Sequence, residues 1–363
     1  MRKTGLIMLS AAIFVACATT EKKQPEPTQA EKLITRLDTL IEKGIMIGHQ
    51  DDTFYGGTWH YEDGRSDVLE TCGDYPAIMG FDLGKLELDS ATNIDGVPVE
   101  LMKREIVAQY ERGGIVTISW HPWNPVTGEN SWDPSGEAVT KILSGKGEVA
   151  DTFNVWLDRI AAFIGSLETA SGEKVPVIFR PWHEMSGHWF WWGCNSCTPE
   201  EYQKLYILTY NHLVEAGLGD NIVWAYSPNL ANEETVEAYL QYYPGDEYVD
   251  LIGIDVYRFG SAEDFQYNLR KELDVVKAAA EQTGKIPALT ETGFKNMTDS
   301  TWFTQCLLPV LKEYKLSYVL QWRNAWDKPE ENYFMVAPEL PCADDFRAYY
   351  ADPHTLFVKD IQE

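Results

Sequence analysis

Two glutamates, each placed after a short apolar run, are the residues of this sequence best suited to acid–base chemistry. Residues 177–179 lead to Glu184, and residues 286–290 lead to Glu291. Short β-branched runs are typical of buried parallel strands, and charged residues that follow such strands lie at the open end of the sheet. Hydrolysis of a glycosidic bond with retention of configuration requires two carboxyl groups that face each other across the bond. The sequence therefore predicts that these two strands bring Glu184 and Glu291 together.

Aromatic side chains surround the first glutamate in sequence. Trp182, Trp189, Trp191 and Trp192 all lie close to Glu184. Flat aromatic faces can hold a sugar ring, so this cluster indicates a carbohydrate pocket. The alternative interpretation is that the tryptophans belong to the core and that Glu184 is a paired structural carboxylate.

Apolar segments of strand length alternate with amphipathic segments of helix length along the chain. This alternation is typical of parallel α/β folds, and no polar linker interrupts it. It predicts one (β/α)8 TIM barrel over residues 32–363, with polar or aromatic residues at the carboxyl end of nearly every strand. The predicted strands are 45–48, 77–81, 115–119, 177–179, 221–226, 251–254, 286–290 and 317–321, and the predicted helices include 31–43, 98–112, 152–167 and 199–216. The long polar segment 125–149 is predicted to be a functional loop.

Composition limits the classes of partner. The chain has 363 residues, a formal net charge of −26 and 13 tryptophans. Such a charge repels nucleic acid phosphates and anionic membrane surfaces, so neutral polymers are the expected partners. We expect no nucleic acid partner and a monomer.

The first residues have the pattern of an export signal. Arg2 and Lys3 precede an apolar stretch, residues 6–15, and small residues then lead to Cys17. This pattern resembles a bacterial lipoprotein signal over residues 1–17 with Cys17 lipidated, followed by a flexible tether over residues 18–31. The expected location is the bacterial cell envelope, at the periplasmic face or the cell surface, with the lipid as the only membrane contact. A plain secretory signal with a chance cysteine is the alternative.

Cys194 and Cys197 form a CxxC pair directly after the tryptophan cluster. A zinc site would need two further ligands, and the sequence has no second CxxC. A disulfide that fixes the loop, or two free thiols, are the favoured interpretations. We expect neither a metal nor an organic cofactor.

Five motifs together resemble glycoside hydrolase family 26, a family made up chiefly of β-mannanases on a (β/α)8 barrel. The resemblance covers nearly the whole chain after the signal, with the motifs in the order of the family. They are WHPWNP at 120–125, RPWHEMSGHWFWWG at 180–193, IDVY at 254–257, LTETG at 289–293 and QWRNAW at 321–326.

The resemblance implies the catalytic roles. Glu184 matches the acid/base of the family, and Glu291 matches its nucleophile. Tyr257 matches a tyrosine that hydrogen-bonds the nucleophile. His183 stands where related barrel hydrolases have asparagine, a variation that belongs to this family, and we expect it in the substrate site.

The remaining substrate-binding residues follow from the same resemblance. His121 and Trp322 match residues of the −1 subsite, Trp189 matches an aromatic residue that binds the +1 sugar, and Arg323 matches a residue that reaches toward −2. Arg180 either holds a carboxylate in place or touches substrate, and we place it as a supporting residue. Asp82, Asn229 and Asp255 are either rim residues or barrel structure. His121 could also be a structural histidine, because Pro122 and Trp123 could simply shape a turn.

The expected function is that of a retaining endo-β-1,4-mannanase acting on mannan, glucomannan or galactomannan. One alternative is an exo-acting enzyme that releases mannobiose, and another is a β-glycanase of the same fold with a different substrate. A glycan-binding lipoprotein without catalysis is the alternative from another class.

Overall fold

Eight parallel strands close into a barrel in the computed structural model, which describes residues 26–229 and 235–362. Each strand pairs with the next along the chain, and β1 pairs with both β2 and β8 to close the ring. This confirms the predicted (β/α)8 TIM barrel. The strands are β1 (Ile45–Gln50), β2 (Ile78–Asp82), β3 (Ile115–Trp120), β4 (Val177–Pro181), β5 (Ile222–Tyr226), β6 (Leu251–Arg258), β7 (Ile286–Phe294) and β8 (Tyr318–Gln321), with a short additional strand β9 (Thr355–Leu356) beside the start of β1.

Helices pack around the outside of the barrel. They are α1 (Gln29–Leu40), α2 (Asp67–Cys72), α3 (Val99–Glu111), α4 (Ala138–Leu143), α5 (Glu148–Gly165), α6 (Pro199–Glu215), α7 (Val236–Tyr239), α8 (Ala262–Thr283), α9 (Leu308–Leu311), α10 (Ala343–Tyr350) and α11 (Val358–Ile361). A π-helical segment, Trp302–Leu307, leads into α9. β1 to β5 and β8 are buried along their whole length because side chains fill the barrel on one face and helices cover the other. This double burial explains why the strands read as continuous apolar runs.

Helix α1 covers the amino-terminal end of the barrel. Its apolar side chains, including Leu33 and Leu37, join the same buried cluster as Met46 of β1 and Val223 of β5. The helix begins at Gln29, inside the segment predicted to be a flexible tether. A capping box explains the early start, because the Thr28 hydroxyl accepts a hydrogen bond from the backbone of Glu31 and the Glu31 carboxylate accepts one from the backbone of Thr28.

The segment 125–149 is not a continuous loop as predicted. Helix α4 forms within it because Ala138, Val139 and Ile142 make an apolar face that is buried against the surrounding helices. Strands β6 and β7 extend beyond the predicted apolar runs, to Arg258 and Phe294. The chain therefore stays in strand conformation past the residues that carry the predicted chemistry, including Tyr257 and Glu291.

Within the residues that the structure describes, no helix combines the length and the apolar character needed to cross a bilayer. The predicted lipidation site, Cys17, lies outside the described residues.

Candidate active site

The backbone directly after β4 is unusual at two residues, one of them Glu184. Trp182 and Glu184 both have a φ of 56°, in the left-handed region that residues with a Cβ seldom adopt. Two hydrogen bonds hold this conformation: the Glu184 amide donates to the Ser227 carbonyl at 2.8 Å, and the Tyr202 hydroxyl donates to the Trp182 carbonyl at 2.8 Å. Strain of this kind persists where neighbouring structure enforces it, often at active sites.

Glu291 is held from two directions. The Arg180 guanidinium donates to its Oε1, and the Tyr257 hydroxyl donates to its Oε2 at 2.6 Å. Glu291 is only 4% exposed. Because both oxygens are engaged by donors from different strands, the contacts fix the orientation of the carboxyl group. Arg180 therefore holds a carboxylate, the first of the two roles that the sequence left open.

Three carboxyl groups lie close together at the barrel mouth, and two of them pair with the same guanidinium. One carboxyl oxygen from each of Glu184, Asp255 and Glu291 lies within 4.8 Å of the other two. Arg180 also pairs with Asp255, at 2.9 Å. Burial raises the pKa of Asp255 to about 7; the charge of Arg180 opposes this shift, and the charge of Glu291 adds to it. A single positive charge cannot compensate three carboxylates in a buried site, so at least one carboxyl group holds a proton near neutral pH.

Glu184 is the group best placed to hold that proton. Its pKa lies well above the ordinary value, first because burial disfavours its charged form and then because Asp255 and Glu291 are negative. The Trp189 indole donates to Glu184 Oε2 at 2.9 Å. Gly187 makes room for this indole, since a Cβ at that position would lie only 2.4 Å from the ring. The predicted pair, Glu184 and Glu291, is therefore brought together, and the surroundings of Glu184 favour its protonated form.

His121 lies in the middle of a polar chain that runs from Asp82 to His183. Its Nδ1 lies 2.6 Å from Asp82 Oδ2, and its Nε2 lies 3.0 Å from Nε2 of His183. Burial disfavours the imidazolium, but the charges of Asp82 and Glu291 outweigh burial and raise the pKa of His121. Burial and the charges of Arg180 and His121 lower the pKa of His183, which is therefore neutral. His183 is 1% exposed, and its predicted contact with substrate stays a prediction.

Replacing Asp82 by asparagine is expected to destabilise the protein in a pH-dependent way. Burial opposes the charge of Asp82, but His121 and the hydrogen bonds from Ser119 and Gly84 lower its pKa below 3.8. Its stabilising effect is therefore lost as the pH falls through that lowered value. The effect of His121 is present below pH 6.5 and is lost as the pH rises through its raised pKa. Urea unfolding of Asp82→Asn should show a loss of about 3 kcal/mol at pH 5 and a smaller loss at pH 9.

The matched control for this measurement is Asp158→Asn. Asp158 lies 2.7 Å from His212, but its side chain is 70% exposed. An exposed pair contributes little, so this variant should change the unfolding free energy by less than about 1 kcal/mol at either pH. Equal losses at pH 5 and pH 9 in Asp82→Asn would show that His121 is not charged in the folded protein.

Trp132 is an aromatic residue of the site that the sequence did not single out. It lies between β3 and α4, is 50% exposed, and stacks on His121 with ring centroids 5.4 Å apart and an interplanar angle of 16°. The partly buried ring of Trp322 also contacts His121, edge to face, with ring centroids 6.3 Å apart. The only sequence signal for Trp132 was a large aromatic residue within a loop of small polar residues. Both indoles therefore contact His121, and the predicted role of Trp322 in the −1 subsite stays a prediction.

Arg323 lies at the opposite side of the barrel mouth from Trp189. Its Nη2 forms an ion pair with Asp95 at 2.9 Å, and its Nη1 lies 3.3 Å from the Tyr55 hydroxyl. Tyr55 in turn donates to Asp51. Arg323 is 5% exposed, so these contacts fix its position, and its predicted reach toward the −2 sugar stays a prediction.

Trp191 and Trp192 belong to the core instead of the sugar-binding surface. Both are 0% exposed and pack with Trp182 at centroid distances of 5.3 and 5.5 Å. They therefore support the loop that carries Trp189. Cys194 and Cys197, in the same loop, are separate thiols in the structure.

A (β/α)8 barrel that brings two carboxyl groups together at its carboxyl-terminal rim, with indoles beside them, is typical of a glycoside hydrolase. The family model for glycosyl hydrolase family 26 matches residues 23–308 of this chain. The chain belongs to this family, as the sequence motifs indicated.

Solved structures and curated proteins agree with this assignment. A family 26 β-mannanase from Bacteroides ovatus superposes with a TM-score of 0.88 and 43% identity, over 92% of this chain and 95% of that chain. A mannan endo-1,4-β-mannosidase from Bifidobacterium adolescentis is 34% identical over 72% of this chain. The matched region makes up only 28% of the length of that protein. A mannan endo-1,4-β-mannosidase from Bacillus subtilis is 27% identical over 88% of both chains.

Proposed function

We propose that this protein is a retaining endo-β-1,4-mannanase that hydrolyses mannan, glucomannan or galactomannan. The observation that carries the proposal is the approach of Glu184 and Glu291 to within 4.8 Å between carboxyl oxygens. Retaining glycosidases place these groups about 5 to 5.5 Å apart, whereas inverting enzymes separate them by about 6.5 to 9.5 Å to admit a water molecule. The relatives named as mannan endo-1,4-β-mannosidases support the choice of substrate.

In the first step, Glu291 attacks the anomeric carbon while Glu184 gives its proton to the leaving oxygen. Arg180 and Tyr257 hold Glu291 so that one oxygen is aimed at the anomeric carbon. The C–O bond to the leaving sugar breaks, and an ester bond between Glu291 and the sugar forms.

In the second step, water breaks the ester. Glu184, now ionised, accepts a proton from that water, and Glu291 leaves as a carboxylate. Formation of the ester removes the negative charge of Glu291, which contributes to the raised pKa of Glu184. The pKa of Glu184 is therefore higher before the first step, when it must carry a proton. It is lower in the second step, when Glu184 must be ionised to act as a base.

A second candidate is an exo-acting mode that releases mannobiose, because side chains from three loops meet at one end of the cleft. The Tyr61 hydroxyl donates to the Gly96 carbonyl at 2.7 Å, which joins the loops after β1 and β2. His60 stacks on Trp326 with centroids 4.2 Å apart, which joins the loops after β1 and β8. Contacts of this kind can wall off the cleft beyond the −2 sugar.

Early products from mannohexaose will distinguish the two modes. The endo mode should give mannotriose and mannotetraose together with mannobiose at the first time points, because the chain can bind in several registers. Mannobiose and mannotetraose in equal amounts, without mannotriose, would contradict the endo mode and favour the exo-acting one. Chromatography of samples taken before a tenth of the substrate is consumed is the measurement.

A reducing-sugar assay on mannan, mixed-linkage β-glucan and β-1,3-xylan tests the substrate. Release from mannan at a rate well above the other two is expected. Faster release from either of the other polymers would identify that β-glycan, instead of mannan, as the substrate. Binding without release from any polymer would favour the glycan-binding protein without catalysis.

We also propose that the enzyme works in the cell envelope as a monomer, anchored through a lipid on Cys17. The apolar stretch before that cysteine and the small residues next to it support this location. Replacing Cys17 by alanine should release the protein from membranes, whereas unchanged fractionation with the membrane would contradict the anchor.

A further inference from the structure

Phe259 is an apolar side chain held in solvent at the mouth of the barrel. It is 86% exposed, the largest exposure among the large apolar residues that the structure describes, and it directly follows β6. Single exposed apolar residues are common on protein surfaces, so the position of this ring decides what it indicates.

The backbone around Phe259 is fixed by its neighbour Arg258. The Arg258 Nε donates to the Gly260 carbonyl at 3.1 Å, which closes a tight turn around Phe259. The guanidinium also forms an ion pair with Asp299 at 2.6 Å and lies 4.2 Å from the ring centroid of Phe294. These contacts anchor Arg258 on the side of the strand away from the cleft, so Phe259 is presented in a defined position.

The Phe259 ring lies on the cleft side of β6. Side chains two residues apart share a face of an extended strand. Accordingly, the ring centroids of Phe259 and Tyr257 are 6.2 Å apart, with an interplanar angle of 34°. The Tyr257 hydroxyl donates to Glu291 at 2.6 Å. Only one aromatic ring therefore separates Phe259 from the nucleophile.

Phe259 also lies in the half of the mouth that receives the leaving group. It follows β6, and Trp189, the indole in contact with Glu184, follows β4, separated from β6 by β5 alone. Arg323 and Asp95 follow β8 and β2, on the other half of the ring. Since Glu184 gives its proton to the leaving sugar, the half with Trp189 and Phe259 accommodates the leaving portion of the chain.

We propose that Phe259 is a sugar-binding platform on the leaving-group side, one position beyond the sugar next to Glu184. This inference rests on the proposed function. The exposed ring stacks on the apolar face of that sugar and favours substrates long enough to reach it. Binding energy from this remote contact then contributes to kcat/KM for long substrates.

The test compares kcat/KM for mannohexaose with kcat/KM for p-nitrophenyl β-mannobioside. The nitrophenyl group takes the place of the first leaving sugar, and nothing in this substrate extends further. In Phe259→Ala, the ratio of the two values should fall about tenfold, equivalent to about 1.4 kcal/mol of lost stacking. Phe259→Trp should restore the ratio to within about twofold, because the indole supplies the same kind of surface.

Tyr267→Ala is the matched control, since Tyr267 is 62% exposed on α8 and outside the cleft. This variant should leave both values unchanged. An unaltered ratio in Phe259→Ala, with mannan still cleaved by the wild type, would overturn the platform and leave the proposed function intact. If the wild type cleaves another β-glycan instead of mannan, the proposed function fails. The role of Phe259 is then tested with the hexasaccharide and the p-nitrophenyl disaccharide of that glycan. A wild-type protein that cleaves none of these substrates overturns both proposals.

Discussion

Replacing Glu291 by alanine should lower kcat on mannan by a factor on the order of 10⁵, because the attacking group is removed and water must act alone. Binding should survive the substitution. Arg180 keeps its ion pair with Asp255, so the guanidinium is not left buried without a partner. Steady-state kinetics, together with calorimetric titration of mannohexaose into the variant, is the measurement.

Glu313→Ala is the control for Glu291→Ala. Glu313 also accepts from an arginine, Arg270 at 2.8 Å, but this pair lies on the surface, with side chains 36% and 47% exposed. Its replacement should leave kcat unchanged. Activity retained by Glu291→Ala would remove Glu291 from the mechanism, and loss of both activity and binding would show that the cleft itself had collapsed.

Replacing Glu184 by alanine should give a loss that depends on the leaving group. On mannan, where the leaving oxygen belongs to a sugar, kcat/KM should fall by about 10³-fold to 10⁴-fold because no acid assists departure. On an aryl β-mannobioside with an acidic phenol, kcat/KM should fall much less, since that phenol leaves without a proton. The covalent intermediate should then accumulate as a burst of phenol, because Glu184 is also missing as the base of the second step.

The pH dependence provides a separate readout for Glu184. Burial and the charges of Asp255 and Glu291 keep its pKa well above the ordinary value, so the acid form persists toward neutral pH and activity falls as the pH rises through that pKa. In Glu184→Ala, the alkaline fall in kcat/KM for the aryl substrate should disappear. An identical alkaline fall in the variant would assign it to another group, and equal losses on both substrates would contradict the acid role.

The sequence predicted the barrel because each strand is buried on both faces and therefore stands out as an apolar run. The convergence of Glu184 and Glu291 followed from the same pattern, since parallel strands in a barrel open at one rim. The roles of Asp82 and Asp255 could not be predicted in this way. Each depends on a partner from another part of the barrel, His121 after β3 in one case and Arg180 of β4 in the other, and no spacing in the sequence encodes those contacts.

The geometry of the loops could not be predicted from the sequence pattern either. Trp132 reaches His121 only through the path of an irregular segment, which has no periodicity from which its direction could be read. The left-handed backbone at Trp182 and Glu184 is enforced by tertiary hydrogen bonds to Ser227 and Tyr202 against local preference. Helix α4 was missed because only a short part of the segment 125–149 has an apolar face.

The central claim is that Glu291 bonds covalently to the sugar while Glu184 acts as acid and base on the same glycosidic linkage from the other side. A 2-deoxy-2-fluoro-β-mannosyl fluoride tests it most directly, because the fluorine slows hydrolysis of the ester and traps it for mass spectrometry. The account predicts one added fluoromannosyl group per protein, located on Glu291 by peptide mapping and absent from Glu291→Ala. A label on a different residue, or hydrolysis without labelling that releases the inverted anomer, would contradict it.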